Sequence, residues 1–128
     1  MTAVVNRDLT AEPKAPMRAR ELVKELQLSR DAEARVGLVL SELVTNAVVH
    51  GEETRAGRLR LALELADQRV RGEVCGASAM FAWEPTEPDL AEPGGLGLLI
   101  VDEVADRWGI KGNAHVCVWF ECLDCASR

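Results

Sequence analysis

Apolar residues recur in the first part of the chain at the spacing of an amphipathic helix. In the segment APMRARELVKELQ, residues 15–27, the side chains of Met17, Leu22 and Leu26 fall on one predicted helical face. Pro16 stands in the predicted first turn, where proline is tolerated because the first amide groups of a helix lack intrahelical partners. The pattern predicts a first helix over residues 15–27.

The next segment, DAEARVGLVLSELVTNAVVH, predicts a longer second helix over residues 31–50. Ser29 before it is a residue type that caps helix N-termini, and Gly51 after it is typical of the position that follows a helix. Apolar residues recur through this helix at three- and four-residue steps, so one broad face should be buried. That face consists of Val36, Val39, Leu40, Leu43, Val44 and Ala47.

The periodicity changes to two after residue 57. Leucines and polar residues alternate strictly in RLRLALEL, residues 58–65, and the alternation continues in RVRGEVC, residues 69–75, where Val70 and Val74 should face inward. A turn at residues 66–68 joins the two segments into a predicted antiparallel hairpin with one covered face. A short strand, RDLTAEP, is predicted earlier in the chain, before the first helix.

The rest of the chain predicts a loop, a helix and a last strand. Residues 76–92 show no period, and loops of this length in compact domains are usually functional. GGLGLLIVDEVADRWG then predicts a glycine turn that leads into a helix with Leu99, Ile100 and Val104 among its apolar positions. HVCVWFECL predicts an inner strand because it is almost continuously apolar. The predicted fold class is therefore α+β, a two-layer sandwich with a mostly antiparallel sheet and helices on one face.

Composition narrows the class of protein. The chain has 128 residues, which suits one domain, and its 48% hydrophobic and 28% charged residues are ordinary for a globular protein. No apolar run approaches the roughly 20 residues that a membrane helix needs, and the start lacks signal-peptide order, so we expect a cytoplasmic protein without membrane contact. The net charge of −6 argues against direct nucleic-acid binding and favours a basic protein partner.

Four cysteines are present, at positions 75, 117, 122 and 125. Without an export signal we expect them to be free thiols, since thiols are kept reduced in the cytoplasm. Cys122 and Cys125 form the one metal-like spacing, CLDC, but a structural zinc site usually needs two such pairs. A redox or zinc role for these two residues stays open at this point.

A line of polar residues interrupts the apolar second helix. Glu42, Asn46 and His50 are four residues apart, so successive members are rotated by only about 40° and separated by about 6 Å. The simplest interpretation is a solvated stripe. However, the glycine turn at residues 94–97 offers backbone amides to phosphate, Asn46 has the oxygen ligand that magnesium prefers, and Glu42 could act as a general base. Together these features indicate a nucleotide pocket.

These segments resemble a known family. SELVTNAVVHG resembles the N-box of the histidine-kinase-like ATPase superfamily, which has the Bergerat ATP-binding fold, and the nearest likeness is to its anti-sigma factor serine kinase branch. LTAEPKAPMRARELVKEL, GGLGLLIVDEVADRWGI and VWFECL are also similar to that branch. The resemblance predicts an ATPase domain over residues 8–122, with flexible termini at residues 1–7 and 123–128.

The resemblance implies an ATP and Mg²⁺ pocket between helices and sheet. In it Glu42 resembles the catalytic base, Asn46 resembles the magnesium ligand, and His50 more closely resembles a residue with a structural hydrogen bond. Such proteins bind a sigma factor, phosphorylate a serine of an anti-sigma-factor antagonist, and pair through the sheet as homodimers. The positions that resemble the phosphate-binding turn are Gly94, Gly95, Leu96, Gly97 and Leu98.

The adenine side departs from the family pattern. The aspartate that normally accepts the adenine amine is replaced by Gly76, and Glu73 should point to the opposite face of its strand. The threonine of the last strand corresponds to Cys117, a weak hydrogen-bonding group. Two functions therefore stay open. One is an ATP-dependent anti-sigma kinase with weakened adenine recognition, and the other is a nucleotide-independent module that sequesters a regulatory partner.

Overall fold

The strands of the chain form one antiparallel sheet with the order β1-β2-β3-β5-β4. The computed structural model describes residues 2–50, 57–76, 97–112 and 116–125. Each neighbouring pair in the sheet is antiparallel, and β5 lies inside it, as its apolar sequence predicted. The strands are β1 (Ala3–Thr10), β2 (Arg58–Ala66), β3 (Arg69–Gly76), β4 (Arg107–Lys111) and β5 (Cys117–Cys122).

Three α-helices cover one face of this sheet. They are α1 (Ala15–Val23), which continues into a short 3₁₀ helix (Lys24–Leu26), α2 (Arg30–His50) and α3 (Gly97–Val104). α2 packs against both other α-helices and against β3 and β5. Alternate residues of the strands point into this layer and are buried there, including the four leucines of β2. This confirms the predicted α+β sandwich. No described helix has both the length and the apolar content needed to cross a membrane.

The second helix forms as its sequence predicted. Ser29 caps it, since the Ser29 Oγ accepts a hydrogen bond from the Ala32 amide at 3.3 Å and the Ser29 carbonyl accepts one from Glu33 at 2.8 Å. Asp31 and Glu33 lie in the first turn, where negative charge opposes the positive end of the helix dipole. Every residue of the predicted apolar face is buried. The longest element of the fold is therefore determined by local signals that agree with its packing.

The β2–β3 hairpin is also confirmed. Its turn residues, Asp67 and Gln68, both have positive φ angles, 52° and 61°. Two left-handed residues in succession are the geometry of a type I′ turn, whose twist matches that of the flanking strands.

The predicted face of the first helix is wrong in part. Met17 is 56% exposed, and the residues that α1 buries are Ala15, Ala19 and Val23. Small side chains on this face allow α1 to pack closely against α2, so size rather than hydrophobicity selects the contact. The α-helix ends at Val23, earlier than predicted, and the 3₁₀ helix that follows it is capped by Gln27, which has a left-handed φ of 54°.

The segment predicted as the third helix divides into two elements. α3 ends at Val104, and residues 107–111 form the edge strand β4. Trp108 pairs with Phe120 of β5, and its indole N–H donates to the Asp102 carboxylate at 2.9 Å. Leu99, predicted as apolar contact, is 47% exposed. Short apolar runs fit the helix and strand periods equally well. Residues 107–111 form a strand because they pair with β5.

Both ends of the described chain are held more firmly than predicted. β1 begins at Ala3 and pairs with β2 along its whole length, so residues 3–7 belong to the sheet. At the other end, the Cys125 amide donates to the Gln68 carbonyl at 2.7 Å, and the Leu123 amide donates to Asp106 Oδ2 at 2.6 Å. Residues 3–7, Leu123 and Cys125 are therefore hydrogen-bonded to the rest of the fold, in contrast to the flexible termini that were expected for them.

Candidate functional site

The last turns of α2 bring Glu42 and Asn46 together on the helix layer. Asn46 is only 4% exposed, whereas Glu42 is half-buried. The nearby hydroxyl groups use acceptors on their own helix: Thr45 Oγ1 donates to the Ser41 carbonyl at 2.7 Å, and Ser41 Oγ donates to the Leu38 carbonyl at 3.0 Å. Glu42 and Asn46 are thus the polar side chains of this turn that are not committed to the helix backbone.

Asn46 is not part of a solvated stripe. Its side-chain oxygen, Oδ1, is buried and has no hydrogen-bond partner within the described residues. Leaving a buried acceptor unpaired costs about 1–3 kcal/mol, so such atoms in native proteins need a reason. An amide oxygen of this kind suits Mg²⁺, which prefers oxygen ligands. The donor type and its burial therefore fit the predicted metal ligand.

The predicted phosphate turn lies mostly outside the described residues. Three of its residues, Gly94, Gly95 and Leu96, are outside the described ranges. The other two, Gly97 and Leu98, are the first two residues of α3. α3 packs against α2, with Val101 fully buried. The helix that would follow the glycine turn is therefore held against the helix that carries Asn46.

Two further segments cannot be compared with their predictions. His50 is the last residue of α2, but its side chain is not among those described. Of the loop predicted at residues 76–92, Gly76 belongs to β3 instead, and residues 77–92 lie outside the described ranges.

The end of the hairpin has room for a larger side chain at Gly76. A Cβ added there would point to the helix layer, on the same side as Val74, and would meet only Leu59 Cδ2 at 3.9 Å, an ordinary contact. Glu73 instead lies on the opposite face of the sheet, where it contacts Lys111 and Arg71. This confirms the prediction that Glu73 points to the face of the sheet opposite that of residue 76.

A comparison with known families then decides the class of this domain. A family profile described as a histidine kinase-like ATPase domain matches residues 5–121. The chain belongs to this family. No protein of curated function matches the sequence significantly.

Among solved structures, this ATPase domain is similar to the RsbU and RsbW domains of Rv1364c from Mycobacterium tuberculosis. The TM-score is 0.70 and the sequence identity is 21%, over 94% of this chain and 32% of that chain. At this identity the likeness shows the fold alone. The ATPase domain described here thus spans about a third of the protein chain that it resembles.

The ATPase domain contains a disulfide that the sequence analysis missed. Cys75 of β3 and Cys117 of β5 are directly opposite in the register, with a Cα–Cα distance of 4.0 Å, and their sulfurs are bonded. The expectation of free thiols is therefore wrong for this pair. The Cys117 side chain points away from the helix layer, so it cannot contact a nucleotide bound within that layer. Strand register is the missing signal, since sequence spacing alone does not show which cysteines are opposite.

Cys122 and Cys125 remain free thiols, as expected, and both are buried. The S–H group of Cys122 donates to Cys125, which lowers the pKa of Cys125 to about 7 despite burial; nearby Arg35 acts in the same direction. The same bond raises the pKa of Cys122 well above its ordinary value. Within the described residues, no third cysteine, histidine or carboxylate completes a metal site with this pair.

Proposed function

We propose that this ATPase domain binds ATP with Mg²⁺ between the helix layer and the sheet, and that it acts as an anti-sigma factor serine/threonine kinase. The observation that carries the proposal is the buried, unpaired Oδ1 of Asn46, one helical turn after the half-buried Glu42. A helix that served only for packing would gain stability from an apolar residue at this position, because it would avoid burying an unpaired acceptor.

Each predicted site residue has a definite role in this proposal. Asn46 would hold the magnesium ion, which offsets the negative charge of the phosphate groups. Glu42 would accept the proton of the attacking serine hydroxyl, because it is the ionisable side chain beside that site. The backbone amides of Gly94, Gly95, Leu96, Gly97 and Leu98 would surround the phosphates at the start of α3, where the helix dipole favours anions.

Adenine recognition is the weak part of the pocket. The missing carboxylate at Gly76 removes a charge-assisted hydrogen bond worth about 1.5–3 kcal/mol, which weakens ATP binding by roughly tenfold to more than a hundredfold. The Gly76→Asp variant should regain this factor, since an added Cβ meets only an ordinary contact at 3.9 Å. Unchanged affinity in that variant would show that residue 76 does not face the adenine.

The proposed partners are a sigma factor and an anti-sigma-factor antagonist, with a homodimer as the assembled form. The support is the N-box resemblance to the anti-sigma kinase branch, together with a fold similar to a structure that contains an RsbW domain. A net charge of −6 also favours basic partner surfaces over nucleic acid.

A second candidate function is a nucleotide-independent module that sequesters a regulatory partner. Gly76 favours it, and so do Val116 and Val118, the buried residues on either side of the outward-pointing Cys117, because none of the three provides the polar group that adenine needs. The two candidates differ in one measurable property, which is the binding of ATP with magnesium.

Isothermal titration with Mg-ATP at millimolar concentration separates them. We expect binding in the natural chain and a loss of magnesium-dependent binding in Asn46→Ala. Thr45→Val is the matched control, since Thr45 bonds only its own helix among the described residues. Glu42→Ala should largely keep Mg-ATP binding and lose phosphate transfer to the serine of the antagonist protein. Absence of heat and of thermal shift with Mg-ATP would eliminate the kinase proposal and leave the interaction module.

A further inference from the structure

Three potential metal ligands converge on the face of the sheet that the helices leave uncovered. They are the Glu73 carboxylate, the Cys75 sulfur and the Cys117 sulfur, and one ligand atom from each lies within 4.8 Å of the others. Among the described residues this is the only such group of histidine, cysteine or acidic side chains. We call it the Cys–Cys–Glu cluster.

The sheet register explains why these side chains meet. Glu73 and Cys75 are two residues apart on β3, so they point to the same face, and Cys117 is directly opposite Cys75 on β5. The distance from Cys75 Sγ to Glu73 Oε2 is 4.0 Å. All three residues are partly exposed, so a small ion reaches them from solvent. The cluster lies on the face opposite the proposed nucleotide site and does not depend on it.

We propose that the Cys–Cys–Glu cluster binds a thiophilic divalent cation of the zinc class when its disulfide is reduced. Two low-molecular-weight thiols reduce the Cys75–Cys117 bond, giving two protein thiols and one small-molecule disulfide. Metal binding then releases the two thiol protons, because thiolates are the ligands. Two sulfurs, one carboxylate oxygen and a water complete the tetrahedral set that zinc prefers. The oxidised pair offers no thiolate, so disulfide and metal exclude each other.

The charges around the cluster favour this site. Lys111 is opposite Cys117 in the register, and its ammonium contacts Glu73 Oε1 at 2.5 Å. The Lys111 side chain is 52% exposed, so it can leave the carboxylate and remain nearby when an ion binds. Two thiolates and a carboxylate are then balanced by the divalent ion and this ammonium. Arg71, which lies 3.9 Å from Glu73 Oε1, pairs more closely with Glu121, at 3.3 Å, so its charge is compensated outside the cluster.

The CLDC pair provides a matched control within the same chain. Cys122 and Cys125 are buried and lack a third ligand among the described residues, whereas the cluster has three ligands and access to solvent. Sequence spacing favours the CLDC pair as a metal site, whereas the structure favours the Cys–Cys–Glu cluster. Variants of the two pairs therefore separate a site made by sheet register from one made by local spacing.

Cobalt is the probe, because a thiolate-bound Co²⁺ gives a sulfur-to-metal charge-transfer band and tetrahedral visible bands. The 128-residue chain, reduced with a phosphine that is then removed, is titrated with Co²⁺ and afterwards with Zn²⁺. We expect one cobalt per chain, displaced by zinc, and no bands in the oxidised protein. Cys75→Ser should abolish the bands, Glu73→Gln should weaken binding at least about tenfold, and Cys122→Ala/Cys125→Ala should leave binding unchanged.

Two results would overturn this proposal. One is a reduced protein without cobalt bands, and the other is a band that survives in Cys75→Ser but disappears in the CLDC variant. Far-UV circular dichroism reports whether each variant folds. If Cys75→Ser does not fold, alkylation of the reduced natural chain replaces it: zinc should protect Cys75 and Cys117 from iodoacetamide, and equal labelling with and without zinc would also refute the site.

Discussion

Replacing Asn46 by leucine should stabilise the free protein while it removes the proposed magnesium ligand. Asn46 is 4% exposed and its Oδ1 has no partner among the described residues, so the natural chain bears the cost of a buried unpaired acceptor. That cost is about 1–3 kcal/mol, and leucine, of similar size, also has the higher helix propensity by up to about 0.5 kcal/mol. We therefore expect Asn46→Leu to raise the free energy of unfolding by at least about 1 kcal/mol.

The assay is urea unfolding with and without Mg-ATP. Without nucleotide, the midpoint of Asn46→Leu should rise at an unchanged slope, because the slope reports the surface exposed on unfolding. With Mg-ATP at ten times its Kd, the natural chain should gain about 1.4 kcal/mol by linkage, and the variant should gain almost nothing. Asn46→Leu should thus be the more stable protein without nucleotide. With Mg-ATP the natural chain becomes the more stable one only if its gain from binding exceeds the gain that leucine gives the variant.

Thr45→Val controls for the loss of a polar group in the same turn. Thr45 Oγ1 is already paired with the Ser41 carbonyl at 2.7 Å, so this variant should lose about 0.5–1.5 kcal/mol and keep its response to Mg-ATP. An Asn46→Leu protein that is less stable than the natural chain would refute the argument from the unpaired oxygen. One that keeps the full Mg-ATP response would refute the metal-ligand role.

Three further predictions concern stability and ionisation. Gly72→Ala should cost at least about 1–3 kcal/mol in urea unfolding, because its Cβ would lie 2.2 Å from Phe120 Cε1. Gly37→Ala, within α2, should instead add up to about 1 kcal/mol, because its Cβ would meet only Arg20 Cγ of α1, at 3.9 Å. Reducing the disulfide between β3 and β5 should lower the unfolding free energy by about 4 kcal/mol, since it closes a segment with a separation of 42 residues; an unchanged urea midpoint would contradict this. In the oxidised protein, absorbance at about 240 nm should show one thiol titrating near pH 7, and Cys122→Ala should raise that midpoint by removing the donor to Cys125. The pKa of Cys125 is below that of an unfolded thiol, so its ionisation stabilises the fold as the pH rises from about 7 towards 9, and this stabilisation is lost as the pH falls through about 7. Above about pH 9 the raised pKa of Cys122 has the opposite effect and lowers the stability of the fold.

Elements with strong local signals were predicted well. The cap at Ser29, the buried face of α2 and the alternation of β2 and β3 each combine a start or turn residue with the correct period. Errors arose where the period was ambiguous or side-chain size mattered. Met17 is apolar but exposed, because the close packing of α1 uses alanines, and residues 107–111 form a strand because β5 offers a partner.

The candidate site was predicted in part. Sequence spacing placed Glu42 and Asn46 on one side of the predicted second helix, and in the structure both residues lie in α2, with Asn46 buried and Glu42 half-buried. Sequence could not decide between a solvated stripe and a ligand site, because burial is a property of what packs around the helix. The 4% exposure of Asn46 and its unpaired oxygen favour the ligand site.

By itself, the sequence determined the long helix, the hairpin and the polar positions within them, because capping, turn chemistry and hydrophobic period act between neighbouring residues. Only the tertiary structure decided which distant residues meet. Cys75 bonds Cys117 and lies beside Glu73 because β3 and β5 are neighbours in one particular register. A shift of that register by one residue would send these side chains to the helix layer, so their chemistry depends on strand pairing across a separation of 42 residues.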